Sequence, residues 1–136
     1  SARESSASFP AELQANIKWL GHVPAEQLQT LYSKAMGLLF LSTREGFGIP
    51  LLEAARYSLP ILAPQNAVLQ EVMAETAFWY EPEKVAPLSA QELAPFEAFL
   101  KLENRQQMAA QALVRQEQFS WQHTAQQTLK VYQELC

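Results

Sequence analysis

The chain is short of the residues on which many small-protein chemistries depend. Among its 136 residues there is one cysteine, and it stands last, at Cys136. That excludes a disulfide framework and leaves a chain-end thiol as a poor nucleophile, so a reducing cytoplasm is the simplest home. The two histidines, His22 and His123, form no metal-ligand spacing, and no metal site is read from them. Glycine is scarce too: four residues, arranged as neither a Walker loop nor a G-x-G-x-x-G fingerprint. Ten Lys and Arg against 14 Asp and Glu leave a net charge of −4 without a basic cluster. A surface that neutralises a phosphate backbone needs such a cluster, so no nucleic-acid partner is expected. No apolar run approaches the length of a membrane span, and residues 1–9 are small and polar rather than signal-like.

What is present suits one folded domain: 49% of the residues are apolar, enough for a core at this length. Residues 1–10 read as a disordered or boundary segment, and core-forming sequence starts near Leu13. Ile17-Lys18-Trp19-Leu20 reads as a short strand ended by Gly21. From Pro24 to Met36, Leu28, Leu31, Tyr32 and Ala35 lie on one helix face. Leu38-Leu39-Phe40-Leu41 has no polar alternation, as expected of a strand covered on both faces in a parallel sheet; a buried helix turn is the alternative. A helix from about Ile49 should turn Leu52, Ala55 and Leu51 inward and stop before Pro60. Ile61-Leu62-Ala63 and Ala77-Phe78-Trp79-Tyr80 are further strands, with a short helix from Asn66 to Met73 between them. Four strand candidates at intervals of roughly twenty residues, alternating with helices, argue for βαβ units.

After Pro82 the pattern is helical. Ser89 with Glu92 forms a capping box, but Pro95 should break or kink the helix that it starts, so that boundary stays open. Asn104 with Gln107 can begin the next helix. Ser120 can cap a last one with Trp121, Ala125, Thr128, Leu129, Tyr132 and Leu135 on one stripe. The Phe78-Trp79-Tyr80 run, Trp19 and Trp121 are read as core before any stacking surface.

The chemistry concentrates in Ser42-Thr43-Arg44-Glu45-Gly46-Phe47-Gly48-Ile49-Pro50-Leu51-Leu52-Glu53, at the junction between the strand ending at Leu41 and the helix. Proline fits the first turn of a helix, where its missing N–H would be unpaired anyway. Gly46 and Gly48 remove side chains that would screen the backbone, leaving amides and the positive helix end open to an anion such as phosphate. Glu45 and Glu53 bracket that opening with hydrogen-bond acceptors suited to sugar hydroxyls. The plain alternative is an ordinary acidic bias at a helix start.

Glu45-Gly46-Phe47-Gly48-Ile49-Pro50-Leu51-Leu52-Glu53-Ala54 resembles the signature of family 4 (group 1) retaining glycosyltransferases, in which two glutamates flank a glycine-bearing loop. Further pieces fit that family in order: Ile17-Lys18-Trp19-Leu20-Gly21-His22-Val23, Leu31-Tyr32-Ser33-Lys34-Ala35, Pro60-Ile61-Leu62-Ala63, Glu71-Val72 and Phe119-Ser120-Trp121. The resemblance implies an α/β fold: a Rossmann-like parallel sheet with flanking helices and a helical C-terminus, forming part of the C-terminal domain of a GT-B fold. Residues 11–136 would be its nucleotide-sugar-binding domain, without the first strands. It places Glu45 at the donor sugar as the catalytic residue. The stretch Gly46, Phe47, Gly48, Ile49, Pro50 and Leu51 would meet sugar hydroxyls and diphosphate, and Glu53 the ribose. Val23 would line the base pocket, or be plain core.

The implied activity is glycosyl transfer with retention from a UDP-, GDP-, ADP- or dTDP-sugar to a saccharide, lipid-linked or other acceptor. The family generally uses no metal or other cofactor. Its members supply an Arg and a Lys for the diphosphate from a loop that this sequence does not include. The upstream half-domain and an N-terminal acceptor domain are therefore expected partners, and any membrane association would reside there. The strand at residues 17–20 should lie beyond missing strands from residues 38–41. In Tyr57-Ser58-Leu59-Pro60 the sequence departs from the small residue or glycine that relatives carry before the proline. The competing class is a non-catalytic nucleotide-sugar-binding or scaffold module of the same fold.

Overall fold

A computed structural model of the chain describes residues 10–82 and 89–135. The expectation of disorder over residues 1–10 therefore falls, except for Pro10, outside the described residues. The chain divides into two compact units, residues 1–31 and 32–136.

In the first unit a single helical turn, α1 (Ala11–Gln14), is followed by irregular chain, and α2 (Ala25–Lys34) begins after Pro24 and runs on into the second unit. The strand expected at residues 17–20 does not form. A strand exists through its ladder partners, and none of the described strands pairs with this segment. Trp19 is 44% exposed rather than core, and Leu13 and Leu20 are exposed as well.

The second unit is built on a parallel three-stranded sheet in the order β1 (Leu38–Leu39), β2 (Ile61–Pro64), β3 (Phe78–Tyr80). Leu38 pairs with Ile61, and Leu62 with Phe78. Helix α3 (Ile49–Arg56) connects the first two strands and α4 (Ala67–Met73) the second two, the βαβ alternation read from the sequence. Among the described residues, three helices come after the sheet: α5 (Ala90–Leu100), α6 (Leu102–Gln116) and α7 (Trp121–Leu135). This parallel sheet with flanking helices and a helical C-terminus is the Rossmann-like arrangement of a GT-B C-terminal domain.

Every residue of β2 is buried. Side chains alternate along a strand, so its two faces feed two cores. Ile61 and Ala63 join Leu51, Ala54 and Ala55 of α3, Leu69, Val72 and Met73 of α4, and Ala112 of α6. Leu62 turns the other way, to Phe78 and to Phe99 of α5, whose rings meet edge to face at 5.7 Å. Leu51 is fully buried and contributes about 1.5–3 kcal/mol by leaving water. In α3 the fully buried residues are Leu51, Ala54 and Ala55, while Leu52 is only half-buried.

Strand β1 departs from its expectation. It is two residues long, though the Phe40 amide extends the ladder to the Leu62 carbonyl at 2.9 Å. Leu38 and Phe40 face the larger core, but Leu39 and Leu41 are 49% and 67% exposed. Among the described residues α5 packs chiefly on β2 and β3, which leaves Leu39 and Leu41 exposed.

The turn from α3 into β2 puts Ser58 at φ 52°, a left-handed conformation that favours glycine, and buries Leu59 in the core. Ser89 and Glu92 form the reciprocal capping box of α5. That helix continues through Pro95, so the open boundary resolves in favour of continuity: the capped first turn and the packing against β3 and α6 outweigh one absent backbone bond. Helix α6 starts at Leu102, two residues before Asn104, whose side-chain amide instead donates to the Ala98 carbonyl at 3.1 Å and helps close α5. Ser120 caps α7 by accepting from the His123 amide at 3.1 Å. None of the α7 residues is buried, and Trp121 is 85% exposed, so its apolar stripe is not core.

Gly37 precedes β1 where a Cβ would stand 2.2 Å from Phe99 Cζ and 3.2 Å from the Pro60 carbonyl. The Phe99 ring is wedged against Phe78 and cannot easily give way. Gly37→Ala should therefore destabilise the fold by about 1–3 kcal/mol, read as a lower denaturant midpoint at unchanged slope.

Candidate functional site

The glycine loop sits where the fold directs it, between the carboxyl end of β1 and the start of α3. Gly48 is the N-cap residue, at φ 87° and ψ 40°, and provides no side-chain cap. A Cβ here would be strained, and it would also lie 2.5 Å from Cδ2 of Leu69 in α4. Gly46 has open space around it, with nothing within 4 Å of where a Cβ would stand.

Ile49 and Pro50 open the helix. Pro50 has no N–H, and the Leu51 amide donates to the Gly48 carbonyl at 3.0 Å. Among the described residues the amides of Gly46, Phe47, Gly48 and Ile49 have no hydrogen-bond partner. Leu51 contributes a fully buried side chain instead. Phe47 and Ile49 are 45% and 53% exposed beside the loop, and Glu45 is half-buried.

Among the described residues, three contacts hold this loop from outside it. The Phe47 ring meets Phe119 edge to face, centroids 6.0 Å apart. Arg115 lies over the other partner of that pair, its guanidinium carbon 5.1 Å from the Phe119 centroid. The same guanidinium donates to the carbonyls of Val72 and Glu71 at 2.8 and 2.7 Å, closing the C-terminus of α4, where a cation is favoured. At the other end of α4, Leu69 abuts Gly48, and the Asn66 side chain donates to the Thr43 carbonyl at 3.0 Å.

Glu53 is exposed on α3 and accepts a hydrogen bond from the Tyr32 hydroxyl at 3.4 Å. Tyr32 stacks on Tyr57 with centroids 6.0 Å apart. Burial first, then the charge of Glu53 and the hydrogen bond to it, raise the Tyr32 pKa above its ordinary value. Val23 belongs to the first unit, half-buried, where it lines an open depression of about 500 Å³ with Lys18, His22, Glu26 and Gln27. Among the described residues no group of three or more His, Cys, Asp or Glu could hold a metal, and no helix is long and apolar enough to cross a membrane.

The motif of the sequence includes Glu45, Glu53 and the glycines, whereas their supports Tyr32, Asn66, Leu69, Arg115 and Phe119 lie outside it. Asparagine directly before a helix was a cue for a cap. No pattern in the chain joins residues 43 and 66.

The chain thus carries a parallel sheet with flanking helices and, at a strand-to-helix junction, a glycine loop with a glutamate on either side. A family model described as glycosyl transferases group 1 matches residues 3–113, most of the chain, and the chain belongs to that family. It is 33% identical over 117 residues to O-antigen chain mannosyltransferase B of Escherichia coli, a match covering 85% of this chain and 30% of that protein. It is 35% identical over 78 residues to the serotype-specific mannosyltransferase WbdA of Escherichia coli, covering 57% of this chain and 10% of that one. It is also 36% identical over 72 residues to O-antigen chain mannosyltransferase RfbU of Salmonella typhimurium, covering 53% and 20%. The chain thus spans less than a third of the length of each of these relatives.

A tyrosine whose folded-state pKa is raised adds stability below its unfolded value near 10 and loses it as pH rises through the folded value. The unfolding midpoint should fall on going from about pH 9 to 11. In Tyr32→Phe that fall should be shallower. It should not vanish, because burial raises Tyr80 as well.

Proposed function

We propose that this chain forms the donor side of a retaining glycosyltransferase that moves a mannosyl unit from a nucleotide sugar to a growing polysaccharide. The carrying observation is the helix start at Gly48, without a side-chain cap, opening between Glu45 and Glu53 inside the region matched by the family. The mannosyl and polysaccharide parts of this reading are motivated by relatives that are O-antigen chain mannosyltransferases.

In this mechanism the departing nucleoside diphosphate develops negative charge, which the amides of residues 46–49 and the positive end of α3 stabilise without proton transfer. The anomeric carbon develops positive character opposite the Glu45 carboxylate. Glu53, oriented by Tyr32, accepts from the ribose hydroxyls. No step uses a metal. The cationic groups for the diphosphate and the acceptor site come from the rest of a longer enzyme, acting in the cytoplasm.

The assignment is tested on the complete enzyme with a thermal-shift panel of UDP-, GDP-, ADP- and dTDP-sugars. One selective shift names the donor base, whereas no shift with any donor supports the non-catalytic scaffold instead. Glu45→Ala should lower turnover about 10²–10³-fold with donor KM altered less than about threefold. Glu53→Gln should mainly raise donor KM, by about tenfold. Unchanged turnover in Glu45→Ala at saturating donor removes the role given to that residue.

A further inference from the structure

Asn66 makes two kinds of hydrogen bond in opposite directions. Its Oδ1 accepts from the amides of Val68 at 2.9 Å and Leu69 at 3.4 Å, capping α4. Its Nδ2 donates to the carbonyl of Thr43 at 3.0 Å, across to the segment that carries Glu45. The orientation of the side-chain amide is fixed by this network: two N–H groups demand the oxygen on the helix side, so the nitrogen must face the Thr43 carbonyl.

The residue is itself held firmly. Its neighbour Gln65 donates from its amide to the Tyr80 carbonyl at 2.7 Å, continuing the pairing of β2 with β3, and the Asn66 carbonyl accepts from the Gln70 amide at 2.9 Å. One turn along the same helix, Leu69 fills the space that a Gly48 side chain would need. The first turn of α4 therefore grips the loop on both sides of Glu45, Gly46 and Phe47, by a polar tie at residue 43 and an apolar abutment at residue 48.

We propose that Asn66 is a positioning residue: through the Thr43 carbonyl it holds the Glu45 segment at the distance from α3 that donor chemistry requires. The proposal rests on the reading of Glu45 as the residue facing the donor sugar. The tie acts on Glu45 more than on the amides of residues 46–49, which lie nearer the Leu69 abutment, so its loss should lower kcat more than donor affinity.

The two functions of Asn66 can be separated by substitution. Asn66→Asp keeps an oxygen that caps α4 and has no donor for Thr43, Asn66→Ser keeps a capping hydroxyl on a side chain shorter than the amide that reaches Thr43, and Asn66→Ala loses both cap and tie. In the complete enzyme, the Asp and Ser variants should unfold within about two degrees of wild type, and the Ala variant about four degrees lower. Tryptic cleavage after Arg44, followed by mass spectrometry under native conditions, should be about five- to tenfold faster in all three, the effect of one net hydrogen bond on local opening. With a donor identified, kcat of the Asp and Ser variants should fall at least about tenfold while donor KM stays within about threefold. Wild-type cleavage after Arg44 in both cap-retaining variants overturns the tie. Wild-type kcat in both overturns its catalytic consequence, and so does a loss of kcat that appears only in Asn66→Ala together with its lower melting temperature. A complete wild-type enzyme that transfers no sugar would instead overturn the transferase reading, while the cleavage comparison still decides whether Asn66 holds the loop.

Discussion

Strand β2 is bonded along both edges, to β1 and to β3, and buried on both faces. This double pairing is the constraint on which the rest depends. A parallel strand needs helical crossovers to reach its neighbours, so α3 and α4 must return across the sheet. Their apolar faces meet over Ile61 and Ala63, in the core that also receives Ala112 of α6. Small residues at Ala54, Ala55, Ala63 and Ala112 let these elements approach closely. The opposite face is closed by aromatic packing, Leu62 under Phe78 and Phe99.

The loop at residues 42–48 inherits its position from this arrangement. It leaves β1 at the carboxyl edge of the sheet, where the start of α4 also lies because β2 is parallel to β1. Loop and helix start are thereby neighbours although more than twenty residues separate Thr43 from Asn66. Supports at the far end of α4 converge on the same loop: Arg115 closes the last turn and stacks on Phe119, which in turn meets Phe47. The loop can consequently leave its backbone donors open without collapsing. An exposed glycine at residue 46 would otherwise carry a large entropic cost of ordering.

Two surfaces show what the domain does not cover by itself. Leu39 and Leu41 are exposed on β1 while α5 packs chiefly on β2 and β3, and α7 has no buried residue despite its apolar stripe. Both are regular elements whose backbone bonding is complete enough to form without a covered side. The segment at residues 17–20 differs, because a strand has no internal hydrogen bonds and its ladder requires a neighbour. Periodicity and apolar content were the same kind of signal in all three places, but only a helix, or a strand with one partner, can express it.

The sequence by itself determined the local features. Asn66, Ser89 and Ser120 announce helix starts through their capping oxygens, Pro60 and the glycines mark boundaries, and the spacing of Glu45, Gly46, Gly48 and Glu53 carries the family and the candidate donor site. These signals act within a turn or two of chain, so they are legible without coordinates. Tertiary structure alone decided that Pro95 lies inside a helix, that Trp19 and Trp121 face outward, that Leu39 lacks a covering layer, and that Tyr32, Asn66 and Phe119 brace the glutamates and the glycine loop. Each of those outcomes depends on which distant segment arrives at a given surface. That is set by the sum of many weak contacts over the whole chain rather than by any pattern within one stretch of it.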